Sequence, residues 1–355
     1  MRNATLALTL LTVIGPAAPA NAQSEAQWGF DSAVSVNRFV GTGTGDRPDV
    51  IVDFTATTRL GQGWTAYVRP WFRSASTKPY PVAREIYQAV LQHEGSGRIA
   101  TRTELGYILS PIGIGMMDMR PDTNPTISSH MAYLIPMPGF DPGAPPSLPI
   151  ASSYPLGGQF TASTTAWDAR AAVVTSPPNR RYSLGLATPN PTSRPVLIVG
   201  GGVTPRTGFR LGAGYAEGVY AEKEEIASAS AEDRSSQLMT VEGELAFGYT
   251  KITGEVARNW LESAAGQRTA TSWFIQGQHT LSPRWFAAAR LEGANGIARA
   301  PGTKAPTLRM SEYTAGFRLS PEFTLRSSYA RRKTYFNPAP SNQAGVSLVW
   351  ARRWK

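Results

Sequence analysis

The sequence predicts an all-β chain, a transmembrane antiparallel β-barrel of about 16 strands. Three observations predict it. First, Leu281-Ser-Pro-Arg-Trp-Phe286 returns 38 residues later as Leu319-Ser-Pro-Glu-Phe-Thr324. Each copy opens a run in which apolar and polar residues alternate, as expected of a tight turn followed by a two-faced strand. The aromatic just after each turn sits where a membrane barrel keeps its interfacial girdle. Second, short and long connections alternate along the chain, which a soluble sandwich has no reason to do. Third, the N-terminus reads as a secretory signal: Arg2, a largely apolar run from Ala4 to Ile14, then Ala20-Asn-Ala22 as a small-x-small cleavage site. The expected division is a signal peptide over 1–22 and a barrel over 23–355.

Sixteen segments read as strands, with ends good to a few residues. The first five lie near 28–40, 49–61, 63–75, 84–94 and 98–109. The next four lie near 159–175, 180–187, 194–203 and 208–221. The rest lie near 235–249, 251–262, 268–281, 284–294, 307–320, 322–335 and 342–354. The segment 180–187 is supported mainly by counting, because single-chain bacterial barrels close with an even number. Pro70 falls inside the third strand, where it removes a ladder bond, and predicts a bulge. Gly61-Gln-Gly63, Gly95-Ser-Gly97, Thr204-Pro-Arg-Thr207 and the two Ser-Pro turns are the short connections. Strand 10 shows the two faces most plainly. Met239, Val241, Leu245, Phe247 and Tyr249 lie on one, with Thr240, Glu242, Glu244 and Ala246 on the other. Alternation alone does not say which face is wet. A sixteen-strand barrel is too wide for side chains to fill, so a polar lumen is expected.

Composition narrows the function. No apolar stretch after the signal reaches the length of a membrane helix. The chain has no cysteine, so it is not a small disulfide-stapled domain. The net charge is +10, with Arg outnumbering Lys 29 to 6. That bias suits bidentate contact with carboxylate or phosphate, and export argues against a nucleic-acid partner. His93, His130 and His279 are far apart in sequence, which with no Cys makes a zinc site improbable. No cofactor is implied. Gly41-Thr-Gly43-Thr-Gly45 follows a strand without opening a helix, so it reads as a hairpin loop and not a phosphate cradle.

Residues 110–158 break the rhythm. They hold ten prolines and five of the eight methionines, too many prolines for a regular element and too many apolar residues for a disordered tail. The run includes Pro111-Ile-Gly-Ile-Gly-Met-Met-Asp118, Arg120-Pro-Asp122 and Phe140-Asp-Pro-Gly143. With the first strand starting in the periplasm, this is the third outer loop.

Here the chain resembles the general and phosphate-selective porins of bacterial outer membranes, in which that loop folds into a sixteen-strand barrel and narrows it. The final strand, Val346-Ser-Leu-Val-Trp350-Ala-Arg-Arg-Trp354, is similar to the aromatic-ended strand recognised by the barrel-assembly machinery, although Lys355 follows it. The resemblance implies a water-filled channel for small hydrophilic or anionic solutes, set in outer-membrane lipid and assembled as a homotrimer. It implies charge selectivity from loop groups Asp118, Arg120, Asp122 and Asp141 facing inward wall positions. The arginine positions expected there are Arg59, Arg69, Arg73, Arg98, Arg102, Arg170, Arg290 and Arg326. Glu104, Asp168, Glu242 and Glu244 are the expected wall acids. The bland alternative is that these arginines pair with neighbouring acids and stiffen the wall. Few lysines and many lumenal acids argue against strict phosphate selectivity and leave a mild anion preference. Two other readings stay open. One is a barrel enzyme of lipase or esterase type, with His130, Ser128 and Ser129 as the only place for its site. The other is an adhesive or structural barrel with a closed lumen that works through Glu222 to Arg234. A calcium role for Asp118 and Asp122 is a further alternative to pore lining.

Overall fold

A computed structural model describes residues 27–354, apart from 43, 45–47, 75–82, 110, 116–119, 142, 145–146, 148–154, 181–190, 228–231, 299–302 and 338. The signal-peptide segment and Asp118 lie outside the described residues. The strands are β1 (Gln27–Gly41), β2 (Asp49–Gly61), β3 (Trp64–Arg73), β4 (Ala83–Gly95), β5 (Ala100–Tyr107), β6 (Leu156–Ser163), β7 (Trp167–Val174) and β8 (Val196–Arg206). They continue with β9 (Phe209–Ala221), β10 (Arg234–Phe247), β11 (Thr250–Leu261), β12 (Arg268–Thr280), β13 (Trp285–Asn295), β14 (Thr307–Arg318), β15 (Phe323–Lys333) and β16 (Ser341–Trp354). Each pairs antiparallel with its sequence neighbours, and β1 pairs with β16, so the sheet closes with no free edge.

Exposure settles which face looks out. Val241 is 57% exposed while Thr240 and Glu242 beside it are 0% and 1% exposed. The apolar rows therefore lie outside and the polar rows inside, as lipid requires. Trp28, Trp64, Trp167, Phe247, Trp285 and Phe323 are exposed at the short-turn ends, forming the girdle that the repeated turns foretold. In the β2–β3 turn, Gly61, Gln62 and Gly63 all have positive φ, which the flanking glycines adopt without strain. The β3–β4 register slips between Arg69 and Pro70, the bulge expected of that proline.

Two strand assignments need correcting. The run 159–175 is a hairpin, β6 and β7, and not one strand. Thr164 turns the chain: its Oγ1 accepts from the amides of Ala166 and Trp167, and its own amide donates to the Trp167 carbonyl. A threonine turn carries no Gly, Pro or Asn to announce itself. The seventh strand is thus Trp167–Val174. Arg180 belongs to the β7–β8 connection, its guanidinium on the Glu225 carboxylate and the Tyr220 carbonyl; 181–187 lie outside the described residues.

Candidate functional site: the inner wall and the segment across it

The 108–155 segment is held against the inner wall by a division of labour. Wall carboxylates take its N–H groups. Glu255 on β11 accepts from the Ile114 amide at 2.6 Å and from the Tyr133 hydroxyl at 2.7 Å. Glu292 on β13 accepts from the Met131 amide at 3.0 Å. Glu312 on β14 accepts from the amides of Ile127 and Ser128. Wall arginines take its carbonyls. Arg326 donates through one Nη to the carbonyls of Pro121, Asn124 and Thr126, and through the other to Ser347 Oγ. Arg290 donates to the carbonyls of Ser128 and Ser129 and lies 3.4 Å from Glu312. An irregular segment inside a barrel must satisfy its backbone without a ladder, and these charged side chains serve that need. At the rim Asp141 is 4% exposed, pairs with Arg234 at 2.8 Å and accepts from the Ala264 amide.

Apolar packing completes the seating. A single-turn helix α1 (Met131–Leu134) presents Tyr133 toward Phe274 and His130. Ile112, Ile114 and Tyr133 pack with Val174, Val196, Ile198, Leu238, Ala257 and Phe274 of the inner wall. Met131 and Met137 pack with Leu261, Ala294, Leu308 and Met310. The polar lumen expected from the strand number therefore holds for only part of the inner wall. Toward the long loops the inner face of β7–β14 carries many apolar side chains among Glu255, Glu292 and Glu312, and the segment covers them. Burial, and next the Glu255 carboxylate, hold the Tyr133 hydroxyl well above its ordinary pKa, so it remains a donor.

Water-accessible space remains mainly along β1–β3 and at the turn-side mouth. One cavity of about 200 Å³ lies between the segment and the wall, lined by Asn37, Asp49, Arg73, Ser128, Ser129 and Arg332 among others. Arg332 donates to Ser128 Oγ and stacks over Phe39. A second, of about 840 Å³, opens at the turn-side end and is lined by Asp31, Thr55, Arg59, Arg120 and Arg353. Arg120 bridges Asp122 at 2.8 Å and Asp31 at 2.6 Å. A third, of about 650 Å³, is lined by Glu94, Arg102 and Thr161.

The expected site residues thus separate into groups. Arg59, Arg73, Arg102 and Arg120 border these cavities. Arg69 is committed to Asp53 at 2.8 Å and to Gln88. Arg170 meets Glu242 at 3.0 Å, and Arg210, which the sequence reading passed over, joins Glu242 to Asp168. Glu104 accepts from Gln159 and Tyr67, and Glu244 lies 3.8 Å from Lys251. Arg290 and Arg326 are 0% and 3% exposed and grip the segment, so they border no open space. Arg98 is exposed in the β4–β5 turn and occupies no wall position. Asp122 serves Arg120, and among the described residues no cluster of His, Cys, Asp or Glu is arranged to hold a metal. His130, 0% exposed, lies on the wall-facing side of the segment, 3.6 Å from Glu292, while Ser128 faces Arg332. Glu312, Arg332, Asp31 and Arg353 were also missed; inward parity on their strands is the signal that finds them.

A closed barrel of sixteen antiparallel strands, with short turns at one end and long loops at the other, is the architecture of the bacterial outer-membrane porins. The chain is similar over 92% of its length to the anion-selective porin from Comamonas acidovorans, at 9% identity, covering 99% of that chain with a TM-score of 0.58. It is similar over 92% to Salmonella typhi OmpF in complex with daunomycin, at 9% identity, covering 97% of that chain with a TM-score of 0.58. The trimer form of OmpT, an outer membrane protein of Vibrio cholerae, matches over 92% at 8% identity, with 99% of that chain covered and a TM-score of 0.53. The likeness is one of fold. No protein-family model and no curated protein matches the sequence.

Proposed function

We propose that the protein is an outer-membrane porin that passes small hydrophilic solutes by diffusion and favours anions mildly. The observation that carries this reading is the charge of the space left beside the segment. The larger cavity, at the turn-side end of β16, β1 and β2, is bordered by Arg59, Arg120 and Arg353 against Asp31, with Asp122 paired to Arg120. The smaller is bordered by Arg73 and Arg332 against Asp49. Guanidinium exceeds carboxylate in both, whereas the inner charges of β7–β10 are matched in local pairs. In a narrow aqueous path between low-dielectric walls, an uncompensated excess sets the sign of the preferred ion. The name of the Comamonas acidovorans neighbour is in keeping with this sign, and the OmpT trimer with a homotrimeric assembly. Each protomer would work through its own lumen, set in lipid by its aromatic rows and delivered there by the barrel-assembly machinery.

The test is single-channel recording of the refolded chain in planar bilayers, with the reversal potential read in a potassium chloride gradient. We expect stable steps and a reversal potential on the anion side. Arg59→Gln with Arg73→Gln should move that potential toward zero without abolishing the steps. A folded barrel that passes no current overturns the porin reading, and a cation-side potential overturns the preference.

A further inference from the structure

We propose that the outer wall of β12–β15, at the long-loop end, binds the phosphorylated headgroup of an outer-leaflet lipid. The site is built from three cations on lipid-facing positions. Arg309 of β14 stands directly opposite Lys333 of β15, and Arg331 stands opposite Ser311 one pair further along the same face. Like charges placed directly across two strands repel, and outward positions near lipid are costly for cations without an anion to meet them. Arg309 and Arg331 are exposed. Arg309 reaches over β13 because its cross-strand partner there is Gly293; a Cβ on that glycine would collide with the guanidinium. Its hydrogen bonds go to neutral oxygens, the Leu308 carbonyl and Asn295 Oδ1. On this wall Glu292 and Glu312 both face inward and are buried. The connections 296–306 and 334–340 contain no Asp or Glu. The excess positive charge thus has no protein counter-ion among the described residues of this sector.

Two further features choose a lipid over a free ion. The cations rim an outer groove of about 330 Å³ whose lining includes Trp273 and Leu291, an apolar surface that suits an acyl chain and not a hydrated anion. Just toward the turn side, Tyr313 and Tyr329 form a directly opposed pair, 54% and 50% exposed. Exposed tyrosines on a lipid-facing wall mark the boundary between acyl chains and headgroups. Arg309, Arg331 and Lys333 lie beyond that boundary, at headgroup depth, where Arg forks and Lys point charges take phosphate oxygens. The inference rests on the outer-membrane reading of the barrel and is independent of whether it conducts.

Native mass spectrometry of the refolded chain in detergent tests it, with three probes: lipid A, which is a bisphosphorylated acylated disaccharide, phosphatidylcholine, and inorganic phosphate. We expect lipid A to be retained in preference to phosphatidylcholine. Replacing Arg331→Gln and Lys333→Gln together should weaken lipid A roughly twenty-five-fold, at about five-fold for each cation removed. Arg206→Gln, at the opposite end of the barrel, should leave it unchanged. A double variant that is still heat-modifiable in gels and binds lipid A as tightly as the parent overturns the site. So does equal retention of the two lipids. Inorganic phosphate that binds as tightly as lipid A, with the same dependence on Arg331 and Lys333, replaces the lipid with a free anion and overturns the assignment. Each result is read without current, so a failure here and a failure of the channel reading remain distinct.

Discussion

Arg326 shows how a single side chain can decide the state of the whole 108–155 segment. One Nη lies 2.6 Å from the Asn124 carbonyl, 2.8 Å from that of Thr126 and 3.2 Å from that of Pro121. None of these carbonyls has a ladder partner, and the guanidinium is almost wholly enclosed. Arg326→Met keeps the bulk and removes the donors, leaving buried acceptors unsatisfied at about 1–3 kcal/mol each. With three carbonyls uncovered, the expected loss is on the order of 3–9 kcal/mol, read as a lower denaturant midpoint, together with new protease cleavage between 120 and 129. Arg69, paired with Asp53 and Gln88 of the wall, makes the contrast: Arg69→Met should leave the cleavage pattern unchanged. Unaltered cleavage in the Arg326 variant would mean that the apolar contacts alone seat the segment.

At the scale of an element, the β6–β7 hairpin depends on one hydroxyl. Thr164→Val conserves shape and removes the acceptor for two amides. It should cost about 1 kcal/mol, seen as a shift in the unfolding midpoint, with Thr165→Val as the neutral comparison. The same hairpin explains what was legible in the sequence. Wherever the turn was written in Gly, Pro or Ser-Pro, strand ends came out within two or three residues, as for Asp49–Gly61 and Phe323–Lys333. Where it was written in Thr164, periodicity ran straight through, because residues 163 and 167 both suit a strand. The segment was legible as a packed loop from its prolines and methionines. Its mode of attachment was not, because inward parity marks Arg59, Arg290 and Arg326 alike. Only the path of the segment decides that Arg290 and Arg326 are enclosed by it while Arg59 borders a cavity.

For the whole molecule, the decisive property is that the barrel has a core. Ile112, Ile114, Tyr133 and Met137 of the segment are 0–7% exposed against inner-wall side chains. Removing them from that surface would cost about 1.5–3 kcal/mol for each large side chain. The sum is on the order of 6–12 kcal/mol before the charged hydrogen bonds are counted. At 1.4 kcal/mol per factor of ten, an unseated segment is populated less than about once in ten thousand. A wall lined with Val196, Ile198, Leu238 and Phe274 also offers water nothing to bond with once uncovered. The segment is therefore part of the fold and not a lid, and the path of the proposed channel would run beside it, past the cavities at β16 and β1–β3. Hydrogen–deuterium exchange checks this directly. The amides of Ile114, Ile127, Ser128 and Met131, held by buried carboxylates, should exchange as slowly as those in the middle of β11–β14. The amides of the β11–β12 connection should exchange within seconds to minutes. Exchange of 112–131 at the rate of that connection would show a segment that leaves the wall readily. It would also replace the steady current expected of the proposed channel with one that opens and closes as the segment moves.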